Sequence, residues 1–182
     1  MNALPAVQPE RFTRVAMICH WLTLVLVLGA LGTIEVSDFY EKGTPLRTAL
    51  HGWHFQWGLA ILALTLVRLV WRFFHRPPEG PAQPGTWEAW AALAMHWALY
   101  GVLLLLPLLG ILGVLLSGTT LSFLGWPLPL ALEVNKGLGH DLKEVHETLG
   151  NLFIGLIGLH VAAALWHQWI RKDNLLSRML PW

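Results

Sequence analysis

EVHETLGNLFIGLIGLHVAAALWHQW, residues 144–169, decides the fold class. From Leu149 to Trp166 it is apolar but for Asn151, His160 and three glycines, close to the roughly 20 helical residues that a hydrocarbon core requires. His146 and His160 stand fourteen residues apart. In a helix that separation climbs roughly 21 Å and drifts only about 40° around the axis. One spanning helix therefore presents imidazoles at two depths along one face.

The rest of the chain agrees. Its 182 residues are 55% hydrophobic and 13% charged, with 11 Trp, which places it outside ordinary soluble composition. Four apolar segments can be drawn, approximately 16–37, 52–74, 91–116 and 146–170. Barrel-like alternation is absent, so the expectation is an all-α membrane protein, a four-transmembrane-helix bundle in one domain covering 1–182. The first segment, VAMICHWLTLVLVLGALGTIEV, is read as a retained helix rather than a cleaved signal, because it is long and three more spans follow. The links are 38–51, the Pro- and Gly-rich 75–90, and the long 117–143, for which a short surface helix near 128–136 is expected.

Arg11, Arg14, Arg68, Arg72, Arg76, Arg171, Lys172 and Arg178 fall at one side, against Lys42, Arg47, Lys136 and Lys143 at the other. The positive-inside rule puts both termini in the cytoplasm. Trp71, Trp87, Trp90, Trp126 and Trp169 suit an aromatic belt in contact with membrane lipid. A formal charge of +1 without a basic patch beyond the membrane flanks excludes nucleic acid as a partner.

Nine histidines remain to be sorted by depth, because ionisable groups inside a span mark function. His20 sits several residues inside the first segment and His160 about ten before the end of the fourth, so they share a depth; His54 and His146 start the second and fourth segments and share another. Two imidazoles from different helices at one depth suit the opposite faces of a flat haem, and two such pairs stack two haems across the membrane. Zinc is the competing occupant, but four imidazoles split between depths do not form one compact site. Cys19 is the sole cysteine, so there is no C-x-x-C-H attachment, and any haem is non-covalent b type. The glycines of the spans make room for a porphyrin or for close helix packing, and Pro107 bends the third helix.

Several of these residues form a recognisable pattern. Arg14, His20 and Trp21, then His54 and Gly58 followed by VRLVWR, then His96 and Pro107, and lastly HETLGN with GLHVAAALWHQWIRKDNLLSRMLP together resemble the bacterial cytochrome b561 family across essentially the whole chain. The resemblance implies a multi-pass protein of the bacterial inner membrane holding two haem b groups, with His20 and His160 as ligands of the cytoplasmic-side haem and His54 and His146 of the periplasmic-side one. His54 is favoured over His51 because its distance to Gly58 and Arg68 follows the family pattern. His96 matches a family histidine without an axial partner, available for a propionate or a quinone. His167 reads as a supporting or surface residue.

The resemblance also implies an enzyme that oxidises superoxide and reduces ubiquinone, although the loop 117–143 matches loosely and the donor can instead be a protein redox partner. For an anionic donor, Arg47, Lys136 and Lys143 offer a positive entrance. Arg14 and Arg68 are candidate contacts for a quinone, and Arg68 and Arg72, one turn apart, for haem propionates. Two further readings differ in class: a cytochrome b subunit passing electrons between the quinone pool and another redox protein, and a non-haem transporter or structural bundle.

Overall fold

The computed structural model describes residues 11–78, 80 and 82–180. Four long helices, α1 (Arg14–Ser37), α2 (Pro45–Phe74), α3 (Trp87–Leu116) and α4 (Lys136–Trp166), run up and down, with a two-stranded ribbon, β1 (Ser122–Phe123) and β2 (Trp126–Pro127), between α3 and α4. All four are long and apolar enough to cross a membrane. Their apolar side chains are largely turned outward, as with Val25, Leu28, Val67, Val70, Leu105 and Leu152, which is what a bundle solvated by lipid requires. The end where α1 begins and α4 finishes is termed the terminal end, the opposite one the hairpin end.

Three of the helices begin earlier than hydropathy suggests, because their starts are set by caps. Thr44 accepts from the Arg47 amide with Pro45 in the first turn, Thr86 accepts from Ala89, and Asn135 accepts from Leu138. Each side-chain oxygen satisfies an amide that the helix leaves unpaired. The 52–74, 91–116 and 146–170 segments are thus the apolar parts of helices starting at 45, 87 and 136. His54 and His146 lie more than two turns inside their helices, not at their starts. The surface helix expected near 128–136 is absent. Residues 128–135 are irregular, because Pro127 and Pro129 carry no N–H and the residue before a proline is driven from helical φ/ψ.

The ribbon turns through Leu124 and Gly125, whose φ values of 49° and 84° are the left-handed pair of a tight hairpin. Gln56 on α2 fastens it, donating to the Ser122 carbonyl and accepting from the Leu124 amide, both at 2.9 Å. At the terminal end, α4 continues through one wide turn (His167–Arg171), and the tail folds back across the start of α1. There Trp21 Nε1 donates to the Met179 carbonyl at 2.8 Å and the Arg11 guanidinium donates to the carbonyls of Ser177 and Leu180.

The interior is organised by a seven-residue repeat. Val27, Ile61, Leu103 and Phe153 are buried in one cluster, with Ala30 beside them. One heptad from that layer toward the terminal end stand His20, Arg68, His96 and His160; one heptad toward the hairpin end stand His54, Gly110 and His146. A seam repeating every seven residues is what helices crossing at about 20° present to one another. The bundle thus has two polar layers separated by an apolar one.

Candidate functional site

At the hairpin end, His54 on α2 and His146 on α4 face each other with ring centres 6.0 Å apart. Each is oriented from behind. His54 Nδ1 lies 2.8 Å from the Ala30 carbonyl of α1, and His146 Nδ1 lies 2.9 Å from the Leu106 carbonyl of α3. A carbonyl only accepts, so both Nδ1 atoms carry the proton and both Nε2 atoms are left as bases. Gly110 makes space for the second ring: a Cβ there would lie 3.5 Å from His146 Cε1.

At the terminal end, His20 on α1 and His160 on α4 have ring centres 6.3 Å apart, with His96 of α3 at 5.7 Å from His160. His96 Nδ1 is bonded to the Ala92 carbonyl of its own helix. Arg68 reaches this layer from α2, its Nη1 donating to Thr23 Oγ1 at 2.8 Å and its guanidinium carbon 5.3 Å from the centre of the Tyr100 ring. Arg72, one turn on, lies 5.8 Å from both the Trp97 and Tyr100 rings.

These distances test what the pairs can hold. A metal–imidazole bond of about 2.0–2.1 Å plus the ~1.1 Å from nitrogen to ring centre puts two trans imidazoles roughly 6.3 Å apart, centre to centre. Both pairs meet that spacing. Gly58, one turn from His54 on α2, would meet no heavy atom within 4 Å if given a Cβ, so that helix face leaves open room beside the hairpin-end pair. Buried Trp57 Nε1 and Thr65 Oγ1 lack protein partners. Among the described residues no three His, Cys, Asp or Glu side chains gather as a compact metal site would need. The residues present therefore fit haem.

The other sequence candidates divide. His51 is directed at α1, its Nε2 3.3 Å from Ser37 Oγ, rather than at His146. Arg47 is spent locally: it donates to the carbonyls of Ser37 and Tyr40 and pairs with Asp38 at 2.9 Å, closing the α1–α2 turn. Lys143 is exposed with Glu147 at 3.5 Å. Lys136 opens α4, and Arg14 opens α1 on its exposed surface. His167, on the same α4 face as His160 but two turns further, has Nδ1 2.6 Å from Asp173 Oδ2. Neither Asp173 nor Thr23 was singled out by sequence. Asp173 sits between Lys172 and Asn174, both with φ of 57°, and only that chain reversal carries it back to His167. For Arg68 a signal was present, since it stands two heptads after His54.

Residues 11–182 match the prokaryotic cytochrome b561 family. The chain is 34% identical to cytochrome b561 homolog 1 of Escherichia coli K12, over 94% of this chain and 98% of that one. It is also 34% identical to the probable superoxide oxidase CybB of Yersinia pestis, over 89% and 91% of the two chains. Cytochrome b562 of Cereibacter sphaeroides is 29% identical over 95% and 97%. Four lipid-facing helices with imidazoles paired across the bundle, and a family match along almost the whole length, make this chain a member of the prokaryotic cytochrome b561 family, a haem b membrane electron-transfer protein.

Proposed function

We propose that the chain holds two b haems, one between His20 and His160 and one between His54 and His146, and carries electrons from superoxide at the hairpin end to ubiquinone at the terminal end. The carrying observation is the pair of imidazole spacings, 6.3 and 6.0 Å, two heptads apart along one seam. Bound haem b supplies a one-electron carrier at each level. The lysine and arginine distribution supports cytoplasmic termini and a periplasmic hairpin.

The chain's own residues do the rest. His54 and His146 are held in one tautomer by the Ala30 and Leu106 carbonyls, so each presents a basic Nε2 inward. Val27, Ile61, Leu103 and Phe153 exclude water between the two levels. Lys136 and Lys143, at the start of α4, attract an anion to the hairpin end. At the terminal end, the His167–Asp173 pair holds a proton within two turns of His160. The balance needs that end to supply protons: two superoxide ions lose two electrons and become two dioxygen molecules, and one ubiquinone takes those electrons with two protons to become ubiquinol.

The test is haem content per chain by pyridine haemochrome, followed by reduction with a superoxide source in detergent at low and high salt, with ubiquinone present. Two haems per chain and saturable quinol formation that slows as salt rises are expected. Two haems inert toward superoxide move the donor to a protein redox partner, and no haem returns the chain to a transporter or structural bundle.

A further inference from the structure

Arg68 is a cation placed where a membrane protein rarely leaves one alone. Charged side chains near the end of a span ordinarily snorkel to the interface. Here helix geometry works against that: side chains leave a helix tilted toward its N-terminus, and α2 begins at the hairpin end. Arg68 follows the tilt inward. Its guanidinium is pinned by Thr23, a residue only 5% exposed whose own hydroxyl donates to the Cys19 carbonyl at 2.7 Å. Tyr100 covers its face. Thr23 is one turn from His20, and Arg68, bonded to it, stands in the same layer of the seam as His20, His96 and His160.

Among the described residues Arg68 has no carboxylate partner. Its neighbours in this layer are Arg72, also without one, and His96. The hairpin end is built the other way. Its arginine, Arg47, is paired with Asp38, and its lysines, Lys42, Lys136 and Lys143, are exposed on the outer surface, where solvent screens their charge, instead of pointing into the bundle. Moreover His54 and His146 both donate Nδ1–H to a backbone carbonyl, whereas His20 and His160 make no ring hydrogen bond among the described residues. Donation from Nδ1 raises the basicity of Nε2 and so favours the oxidised state of a bound metal. An unneutralised cation nearby favours the reduced, less positive state.

The two levels therefore differ in the same sense on both counts. We infer that Arg68 is a positioning residue that sets the redox slope of the bundle: held by Thr23 and Tyr100, its charge keeps the His20/His160 site at a higher reduction potential than the His54/His146 site, directing electrons toward the terminal end. This rests on the two-haem reading. It adds a residue whose role is electrostatic rather than ligating, and no chemical step is assigned to it.

The experiment is a spectroelectrochemical redox titration of the haem-loaded protein in nanodiscs, with His160→Ala identifying which wave belongs to the terminal-end site. In the parent protein that wave lies at the higher potential. In Arg68→Gln it moves down by at least a tenfold change in the electron-sharing equilibrium, 59 mV for one electron, and the other wave moves less. Arg68→Lys retains most of the parent value because it retains the charge. Thr23→Val, which keeps the volume and frees the guanidinium, lowers the same wave by a smaller amount and serves if Arg68→Gln fails to assemble. Two waves of which neither responds to Arg68→Gln or Thr23→Val, or a terminal-end wave at the lower potential in the parent protein, overturns the inference. Fewer than two haems per chain in the parent overturns the reading beneath it instead.

Discussion

Replacing His160 with alanine removes one imidazole from the terminal-end pair and nothing from the other. The magnitude follows from the seam. His146 lies fourteen residues away on the same helix, roughly 21 Å along the axis, with the buried layer of Val27, Ile61, Leu103 and Phe153 in between. The hairpin-end imidazoles are also oriented by their own carbonyls, Ala30 and Leu106, and not by anything in the terminal-end layer. Sites more than about 7–10 Å apart without shared partners couple by less than about 0.5 kcal/mol, a factor of roughly two in occupancy. Haem content in His160→Ala is therefore expected to fall from two per chain to about one, the reduced-minus-oxidised α-band to fall by about half, and His146→Ala/His160→Ala to retain none. Pyridine haemochrome against quantitative amino-acid analysis measures it, with His96→Ala as companion, since the His96 ring is 5.7 Å from His160 and is expected to be dispensable for haem. Unchanged content in His160→Ala, or loss of both haems from that single change, refutes the two independent pairs. Loss of one haem in His96→Ala with retention in His20→Ala would transfer the ligand role from α1 to α3.

Two further changes separate packing from substrate entry. A Cβ at Gly29 would lie 2.9 Å from Trp57 Cε2, so Gly29→Ala must displace an indole packed against the core and is expected to cost about 1–3 kcal/mol, seen as a lower thermal midpoint; Gly101, with open space around it, is expected to tolerate alanine with no loss. Lys143→Glu reverses an exposed charge at the hairpin end and is expected to slow superoxide-driven haem reduction about two- to fivefold at low salt, with the rates converging at high salt. Equal stopped-flow rates for Lys143→Glu and the parent at low salt would leave that charge with no part in substrate entry.

Much of this protein was legible in its sequence, for a physical reason. Hydrocarbon demands about 20 apolar residues per crossing, so four spans show in composition alone, and a histidine inside such a span costs enough to stand out. The fourteen-residue interval between His146 and His160 likewise needs only helix geometry to be read as two depths. Local capping chemistry already lay in Thr44–Pro45 and Asn135, although hydropathy concealed it and placed three helix starts several residues late. What tertiary structure alone decided is which polar groups meet. Arg47, a candidate for anion entry by its position in the chain, is drawn into a pair with Asp38 by the turn between α1 and α2; His51 is turned to Ser37 while His54, three residues on, reaches His146. Arg68 points into the bundle because α2 descends with its N-terminus at the hairpin end and α1 offers Thr23 there. Such pairings depend on helix rotation and register between segments distant in the chain, and no one-dimensional spacing specifies them.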